Sequence, residues 1–186
     1  MARHPAKRDF PVEQIRRYLE PGPVVLVSSA HGGERNIMTM GWHTVLEFSP
    51  SLVGCLISSG NHSHGLIRAS GECVINVPTA DLAQAVVGVG NCSGSEVDKF
   101  ARFGLTASPA EQVDAPLIAE CHACLECRLY DDSLVDRLDF FVFEVVKAHA
   151  AVRPKYPRTL HYTGDGVFMV AGEHIDLRAQ FDPRML

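Results

Sequence analysis

The sequence lacks the features of a membrane or nucleic-acid-binding protein. No apolar run approaches the ~18 residues that a membrane-spanning helix needs, and no apolar segment follows the charged N-terminus as in a signal peptide. Its 17 Lys and Arg are outnumbered by 22 Asp and Glu, for a net charge of −5, and no basic stripe offers a nucleic-acid surface. We therefore expect a cytoplasmic protein that binds neither membrane nor nucleic acid.

Internal repeats and low-complexity tracts are also absent, which excludes repeat architectures. The 186 residues, 46% hydrophobic and 21% charged, fit a single domain over residues 1–186. A chain of this length buries roughly 70% of its unfolded surface and needs no disulfide framework. Strands do not alternate with long helices, so a parallel doubly wound sheet is not expected. The pattern predicts an α+β protein, mainly β, built on a barrel with short helices.

Capping and turn residues set the boundaries of the predicted elements. Gly32 and Gly33 predict a hairpin turn, while Gly71 and Gly104 predict helix ends. Helices are expected at 11–19, 65–70, 79–90 and 95–103, the last with Ser95 as N-cap, and a C-terminal extension covers about 172–186. Strands are expected from residue 24 to the hairpin turn and at 36–48, 52–58, 73–77, 116–130, 138–152 and 164–170.

Six cysteines raise the question of a metal site, because three of them form the pattern ECHACLEC. An iron–sulfur run would continue to a fourth cysteine followed by proline, and no second C-x-x-C completes a zinc site. On a strand, Cys121 and Cys127 would share one face and Cys124 the other. We therefore expect small buried hydrophobic residues and no metal.

The segment GVGNCSG, residues 88–94, resembles a dinucleotide-binding loop only superficially. Its third glycine comes one residue too late, and a predicted helix precedes it in place of a strand. The segment is interpreted as a loop between two helices. His43 and His62 have no carboxylate at a spacing that would orient a catalytic base, and Ser63 lacks a nucleophile-elbow context. No catalytic residue is predicted.

The segment GNHSHG, residues 60–65, concentrates small hydrogen-bonding side chains between two apolar strands. A helix that begins here presents free N–H groups and partial positive charge to an anion. Ser63 would cap this helix, with donors from Ser58, Asn61 and His64 and a full charge from Arg68. Ser is also a common N-cap, so the local pattern fits either a phosphate site or an ordinary capped helix.

Four segments together resemble the flavin reductase-like family, the FMN-binding split barrels that include flavoredoxin. The first is RNIMTMGW at 35–42, similar to the family's N-x-x-T-x-(S/G)-W strand. The second is SSGNHSHGLIRASGECVINVP at 58–78, similar to its phosphate loop and the strand that follows. The others are SGSEVDKFARFGLT at 93–106 and APLIAECHACLEC at 115–127. Their order and spacing cover roughly residues 20–175.

The resemblance implies a Greek-key split barrel and a homodimer that holds FMN noncovalently near the subunit interface. It also implies the residues that line the flavin, its phosphate and the mouth of the pocket. Those along the flavin are Asn36, Thr39, Gly41 and Trp42; those at the phosphate are Ser58, Ser63 and His64, to which the local pattern adds Asn61 and Arg68; and Lys99 contacts the cofactor or closes its pocket. The sequence departs from the family at His64, often threonine there, at Cys73, often phenylalanine, and at Cys124, usually a small polar residue.

The function implied by this resemblance is an oxidoreductase in which the flavin carries the chemistry. An NAD(P)H-dependent flavin reductase, with NAD(P)H as co-substrate and a partner monooxygenase as consumer, is the first expectation. An electron carrier of the flavoredoxin type, reduced by a partner protein, is the alternative. The sequence does not separate these two.

Overall fold

The structure, a computed structural model, describes residues 22–180 and residue 182. The predicted helix at 11–19 lies outside these residues. The strands, in chain order, are β1 (Val25–His31), β2 (Glu34–Met40), β3 (His43–Glu47), β4 (Leu52–Leu56), β5 (Glu72–Val77), β6 (Ala107–Ser108), β7 (Leu117–Ile118), β8 (Ala123–Asp131), β9 (Phe140–Ala150), β10 (Leu160–Gly164) and β11 (Val167–Val170). The helices are α1 (His62–Ser70), α2 (Ala83–Gly90), α3 (Lys99–Phe103) and α4 (Val135–Leu138).

Seven strands form one antiparallel sheet in the order β2-β1-β5-β8-β9-β4-β3. Its two edge strands, β2 and β3, are neighbours in the chain and are separated only by Gly41 and Trp42. The sheet therefore curls until its edges meet at this dipeptide, without closing into a barrel. The predicted strand-rich α+β fold is confirmed. Two further pairs, β10 with β11 and β6 with β7, form small sheets of their own.

The sheet buries side chains on both of its faces. One face packs a cluster that includes Val27, Ile75 and Phe141. The other face carries α2 and α3 over a second cluster that includes Leu26 and Ile37. The alternation along β1 explains this division, because successive side chains of a strand point to opposite faces. Within residues 22–180, no helix is long and apolar enough to cross a membrane.

Turn and cap predictions that depended on glycine are confirmed. Gly32 and Gly33 join β1 to β2 with φ of 60° and 84°, backbone angles that residues other than glycine rarely adopt. Gly71 and Gly104 end α1 and α3 with φ of 71° and 64°. The predicted cap Ser95 is wrong: α3 begins later, after Asp98, whose side chain accepts a hydrogen bond from the N–H of Ala101 at 3.2 Å.

Several strand boundaries also differ from the prediction. The single strand expected at 36–48 is two strands, because the chain leaves the sheet at Gly41 and returns on its far edge. The strand expected at 116–130 is interrupted between β7 and β8. Cys121 therefore precedes β8, and the prediction that it shares a strand face with Cys127 is wrong. Cys124 and Cys127 both lie in β8 and pack into different core clusters.

Candidate functional site

Two depressions lie along the edge strand β2. The first, which we call the polar recess, has a volume of about 320 Å³. It is lined by Asn36, Met38, Gly60, Asn61, His62, Gly90, Asn91, Cys92, Ser93, Gly94, Glu96 and Lys99. The second, the aromatic cleft, has a volume of about 520 Å³. It is lined by Val24, Thr39, Gly41, Trp42, Val86, Val87, Gly90, Asn91, Tyr162, Gly166 and Phe168. Gly90 and Asn91 belong to both, so the two form one groove.

Asn36 brings an unpaired hydrogen-bond acceptor to the polar recess. The residue is 3% exposed, and its Nδ2 donates to Ser63 Oγ at 3.0 Å. Its Oδ1 is buried and has no hydrogen-bond partner. A buried polar atom left unpaired costs about 1–3 kcal/mol, so this oxygen is suited to accept from a donor in the recess. Gly94 leaves the necessary space, because a Cβ there would lie 2.1 Å from Asn36 Oδ1.

Helix α1 points its N-terminus at the polar recess. Asn61 is the N-cap, with φ of −83° and ψ of 133°, and its Nδ2 donates to the Ser58 carbonyl at 3.4 Å. The first N–H groups of a helix have no intrahelical partner and carry partial positive charge. This end of a nine-residue helix therefore favours an anion in the recess. The prediction that Ser63 caps the helix is wrong, because Ser63 is its second residue.

Lys99 supplies a cation to the same recess. It is 5% exposed, and its Nζ donates to the carbonyl of Val89 at 2.9 Å. The Asp98 cap fixes its place as the first residue of α3. Burial lowers the pKa of the Lys99 ammonium, because removal from water disfavours the charged form. An anion placed beside Nζ would reverse this effect.

Four of the residues predicted to hold a phosphate line neither depression. Ser63 is fully buried and bonds to Ser29 Oγ at 3.2 Å as well as to Asn36. His64 packs edge-on against Phe141 of β9, with ring centroids 5.3 Å apart, and its Nε2 lies 3.6 Å from Asp139 Oδ1. Arg68 is in the last turn of α1, where it pairs with Asp136 at 2.5 Å, so the prediction of a charge near the helix start is wrong. Ser58 supports the loop by accepting from the N–H of Gly60 at 3.3 Å.

The other predicted residues are brought together. Asn36, Asn61 and Lys99 line the polar recess, and Thr39, Gly41 and Trp42 line the aromatic cleft. Thr39 Oγ1 donates to the Val86 carbonyl at 2.7 Å, which holds α2 against β2.

Sequence reasoning missed the contribution of the segment at 88–94 and of the C-terminal hairpin. Ser93 and Gly94 belong to a glycine-rich loop, and glycine often marks a close approach of backbone to another group. That signal was available, since the segment was rejected only as a dinucleotide loop. Tyr162 and Phe168 carried no such signal, because their place in the cleft depends on how β10 and β11 dock.

The cysteines do not form a metal site in the described part of the chain. No group of three or more His, Cys, Asp or Glu side chains within residues 22–180 is placed to hold a metal ion. Burial is the main cause that raises the pKa of the Cys124 thiol; a hydrogen bond to the Ile118 carbonyl opposes it, and the nearby charge of Glu126 adds a smaller increase. A thiol kept protonated is a poor metal ligand.

Comparison with known proteins shows which family the chain resembles. A family model described as "Flavin reductase like domain" matches residues 16–170. An uncharacterised protein of Archaeoglobus fulgidus is 36% identical over 73% of this chain and 76% of its own. The uncharacterised protein YddH of Escherichia coli is 30% identical over 90% of this chain and 97% of its own.

A solved structure shares both fold and sequence with the chain. It is an FMN-binding domain of a flavin reductases-like enzyme from Shewanella baltica, 29% identical, covering 90% of this chain and 95% of that one, with a TM-score of 0.76. The family match spans most of the chain and includes β2, α1, α2 and α3, which build the groove. The chain therefore belongs to the flavin reductase-like domain family.

Proposed function

We propose that the protein binds FMN noncovalently in the groove along β2 and acts as an NAD(P)H-dependent flavin reductase. The observation that carries the proposal is the polar recess, where a buried unpaired acceptor, a helix N-terminus and a buried lysine converge. FMN combines a phosphate, a hydroxylated chain and an apolar conjugated ring. The groove combines a polar, cationic end with an aromatic end in the same order.

The residues of the groove fit each part of FMN. The N-terminus of α1, with Asn61, and the Lys99 ammonium would hold the phosphate. Asn36 Oδ1 would accept a hydrogen bond from a hydroxyl of the chain or from an N–H of the ring. Thr39, Gly41 and Trp42 would lie along the ring. Glu96 stands exposed at the rim of the recess, where water screens its charge.

The protein's own part in the reaction is to bind the flavin, orient it and shield it from water. When bound, FMN supplies the acceptance of a hydride from reduced nicotinamide and its release as one or two electrons. Asn36, held by Ser63, orients the flavin without changing protonation state. The walls formed by α2 and the C-terminal hairpin exclude water from one side of the groove. No side chain of the groove is required as an acid or base, consistent with the absence of a predicted catalytic residue.

Two measurements on purified protein test this proposal. Titration of the apoprotein should show saturable FMN binding that is tighter than riboflavin binding, because only FMN carries the phosphate. Anaerobic addition of NADH or NADPH to the FMN-loaded protein should then remove the flavin's visible absorption. Failure to bind FMN would contradict the whole proposal. Binding without reduction by either nicotinamide would favour an electron carrier reduced by a partner protein, and a monooxygenase is one candidate consumer of the electrons.

We also propose that the protein is a homodimer. Strand β3 is a sheet edge, and its apolar residues face outward: Val45 is 67% exposed, and Phe48, just beyond the strand, is 90% exposed. An exposed apolar edge favours association, and an isologous pair is the commonest way to cover it. Light scattering of FMN-loaded protein should give twice the chain mass of 20.3 kDa. A single-chain mass with flavin still bound would contradict this.

A further inference from the structure

Cys92 differs from the other cysteines because its thiol is open to small molecules. The residue is half-buried and lines the polar recess. The other five pack into or against the core clusters: Cys55, Cys73, Cys121, Cys124 and Cys127. Burial raises the pKa of Cys55, Cys121 and Cys124, which keeps these thiols in the protonated, unreactive form. Cys92 is therefore the cysteine placed to react with a solute.

The Cys92 thiol is held at the C-terminal end of α2, beside a cation. Its Sγ donates to the Gly88 carbonyl at 3.4 Å, and the N–H of the preceding Asn91 donates to the carbonyls of Val87 and Gly88 at 3.2 Å each. Lys99 lines the same recess. Burial lowers the pKa of the Lys99 ammonium, and the charge of a Cys92 thiolate acts in the opposite direction and raises it. The thiolate is the nucleophilic form of cysteine, and at this place it faces a cation.

The polar recess offers further contacts to a molecule that reaches Cys92. Asn36, 3% exposed, has an Oδ1 with no hydrogen-bond partner, which is suited to accept from an amide N–H. The N-terminus of α1 and the Lys99 ammonium favour a carboxylate. Glu96, the acidic residue of the lining, is exposed, so water screens its charge. A small thiol compound with carboxylates and amide N–H groups matches these contacts.

We propose that Cys92 is a modification site, which forms a mixed disulfide with a small peptide thiol that carries carboxylates, and that this adduct excludes FMN. The Cys92 thiolate attacks one sulfur of the small disulfide, so that one S–S bond forms as another breaks. Cys92 is oxidised, and the released half is reduced to a thiol that takes up the proton lost by Cys92. The recess, about 320 Å³, lies at the lower end of the size range of small-molecule sites, so the adduct takes the place of the FMN phosphate. This inference rests on the proposed FMN binding and adds to it a redox control of the same site.

Treatment of the apoprotein with glutathione disulfide, followed by FMN titration, tests the inference. Mass spectrometry of the intact protein and of its peptides should show one glutathionyl group, on Cys92. The treated protein should bind FMN about 10- to 100-fold more weakly, because the phosphate loses a charge-assisted contact, and dithiothreitol should restore the affinity. FMN at 100 times its Kd should slow the modification about 100-fold, because only the free protein reacts.

Three variants serve as controls for this experiment. Cys92→Ser should take up no glutathionyl group, and its FMN affinity should be the same before and after the treatment. Cys121→Ser is the matched control, because Cys121 is also half-buried but does not line the recess; it should be modified and lose FMN affinity as the wild type does. Lys99→Met should react more slowly with glutathione disulfide. Its reaction with cystamine, a small disulfide with ammonium groups in place of carboxylates, should not slow.

The remaining outcomes separate this inference from the proposed function. A wild type that binds FMN but is not modified at Cys92 would overturn the inference alone. A Cys92 adduct that leaves FMN affinity unchanged, or a modification rate that saturating FMN does not change, would do the same. Failure of the untreated wild type to bind FMN would overturn the proposed function, and this inference with it.

Discussion

Removal of the Ser63 hydroxyl tests how the groove is built. In the sequence Ser63 suggested a phosphate ligand, but its Oγ is fully buried and accepts from Asn36 Nδ2 at 3.0 Å. Ser63→Ala would leave that N–H without an acceptor, beside an Oδ1 that already lacks a partner. Such a loss costs about 1–3 kcal/mol of unfolding free energy. For a domain of this size, that lowers the Tm by roughly 2–12 °C.

The assay combines thermal unfolding of the apoprotein with titrations of FMN and riboflavin. Asn36 would contact a part of the flavin that FMN and riboflavin share. Ser63→Ala should therefore lower the affinity for both ligands by the same factor and leave the ratio of the two affinities unchanged. Ser59→Ala is the control, since Ser59 is exposed in the same loop, and it should leave the Tm unchanged. An unchanged Tm in Ser63→Ala, together with a selective 10- to 100-fold loss of FMN affinity, would refute this reasoning. That pair of results requires a hydroxyl that bonds directly to the phosphate, at about 1.5–3 kcal/mol.

Three further predictions concern charge and packing. Burial lowers the pKa of the Lys99 ammonium, and a bound phosphate would raise it. FMN affinity should therefore fall as the pH rises from neutrality toward 10.5, the ordinary pKa of a lysine. The fall should be less steep in Lys99→Met, and riboflavin affinity should not show it. Gly88→Ala places a Cβ 2.3 Å from Phe103 Cε1 and should cost about 1–3 kcal/mol, seen as a lower Tm. Gly90→Ala, whose Cβ would lie 3.5 Å from Thr39, should not lower the Tm. Burial opposes ionisation of Glu126, but hydrogen bonds from His149 and two backbone N–H groups outweigh it and lower its pKa. The stability that the ionised Glu126 adds is fully present above pH 4.5, the ordinary pKa of a glutamate, and is lost as the pH falls through the lowered pKa. The free energy of unfolding of Glu126→Gln, measured against pH, should therefore lack this loss in acid.

Local chemistry allowed much of the fold to be predicted from sequence. The glycines that take positive φ, at 32, 33, 71 and 104, marked turns and helix ends because few other residues adopt that conformation. Runs of apolar residues located the core strands. The break at Gly41 and Trp42 was missed, because nothing local shows that the two strands that flank it lie on opposite sheet edges.

Only part of the candidate site was predicted from the sequence. Asn36, Thr39 and Lys99 were identified from a resemblance to known sequences, and the structure brings them to one groove. The directions of Ser63, His64 and Arg68 were not predictable, because each successive residue of α1 turns by about 100° and its partner comes from a distant segment. The place of Tyr162 and Phe168 in the cleft was not predictable either, because the hairpin β10–β11 docks beside the start of β1, more than a hundred residues earlier in the chain.

The order of strands in the sheet has a consequence for synthesis of the protein. The hairpins β1–β2 and β3–β4 are consecutive in the chain, yet neither pairs with the other; they are joined through β5, β8 and β9. A nascent chain can form each hairpin locally, since its contacts are short in sequence. The curl that brings the two sheet edges to Gly41 and Trp42 requires residues 123–150, which leave the ribosome late. The groove at this seam, where we propose that FMN binds, is thus completed after most of the chain is made, so the cofactor would bind a nearly finished domain and would not serve as a template for its early strands.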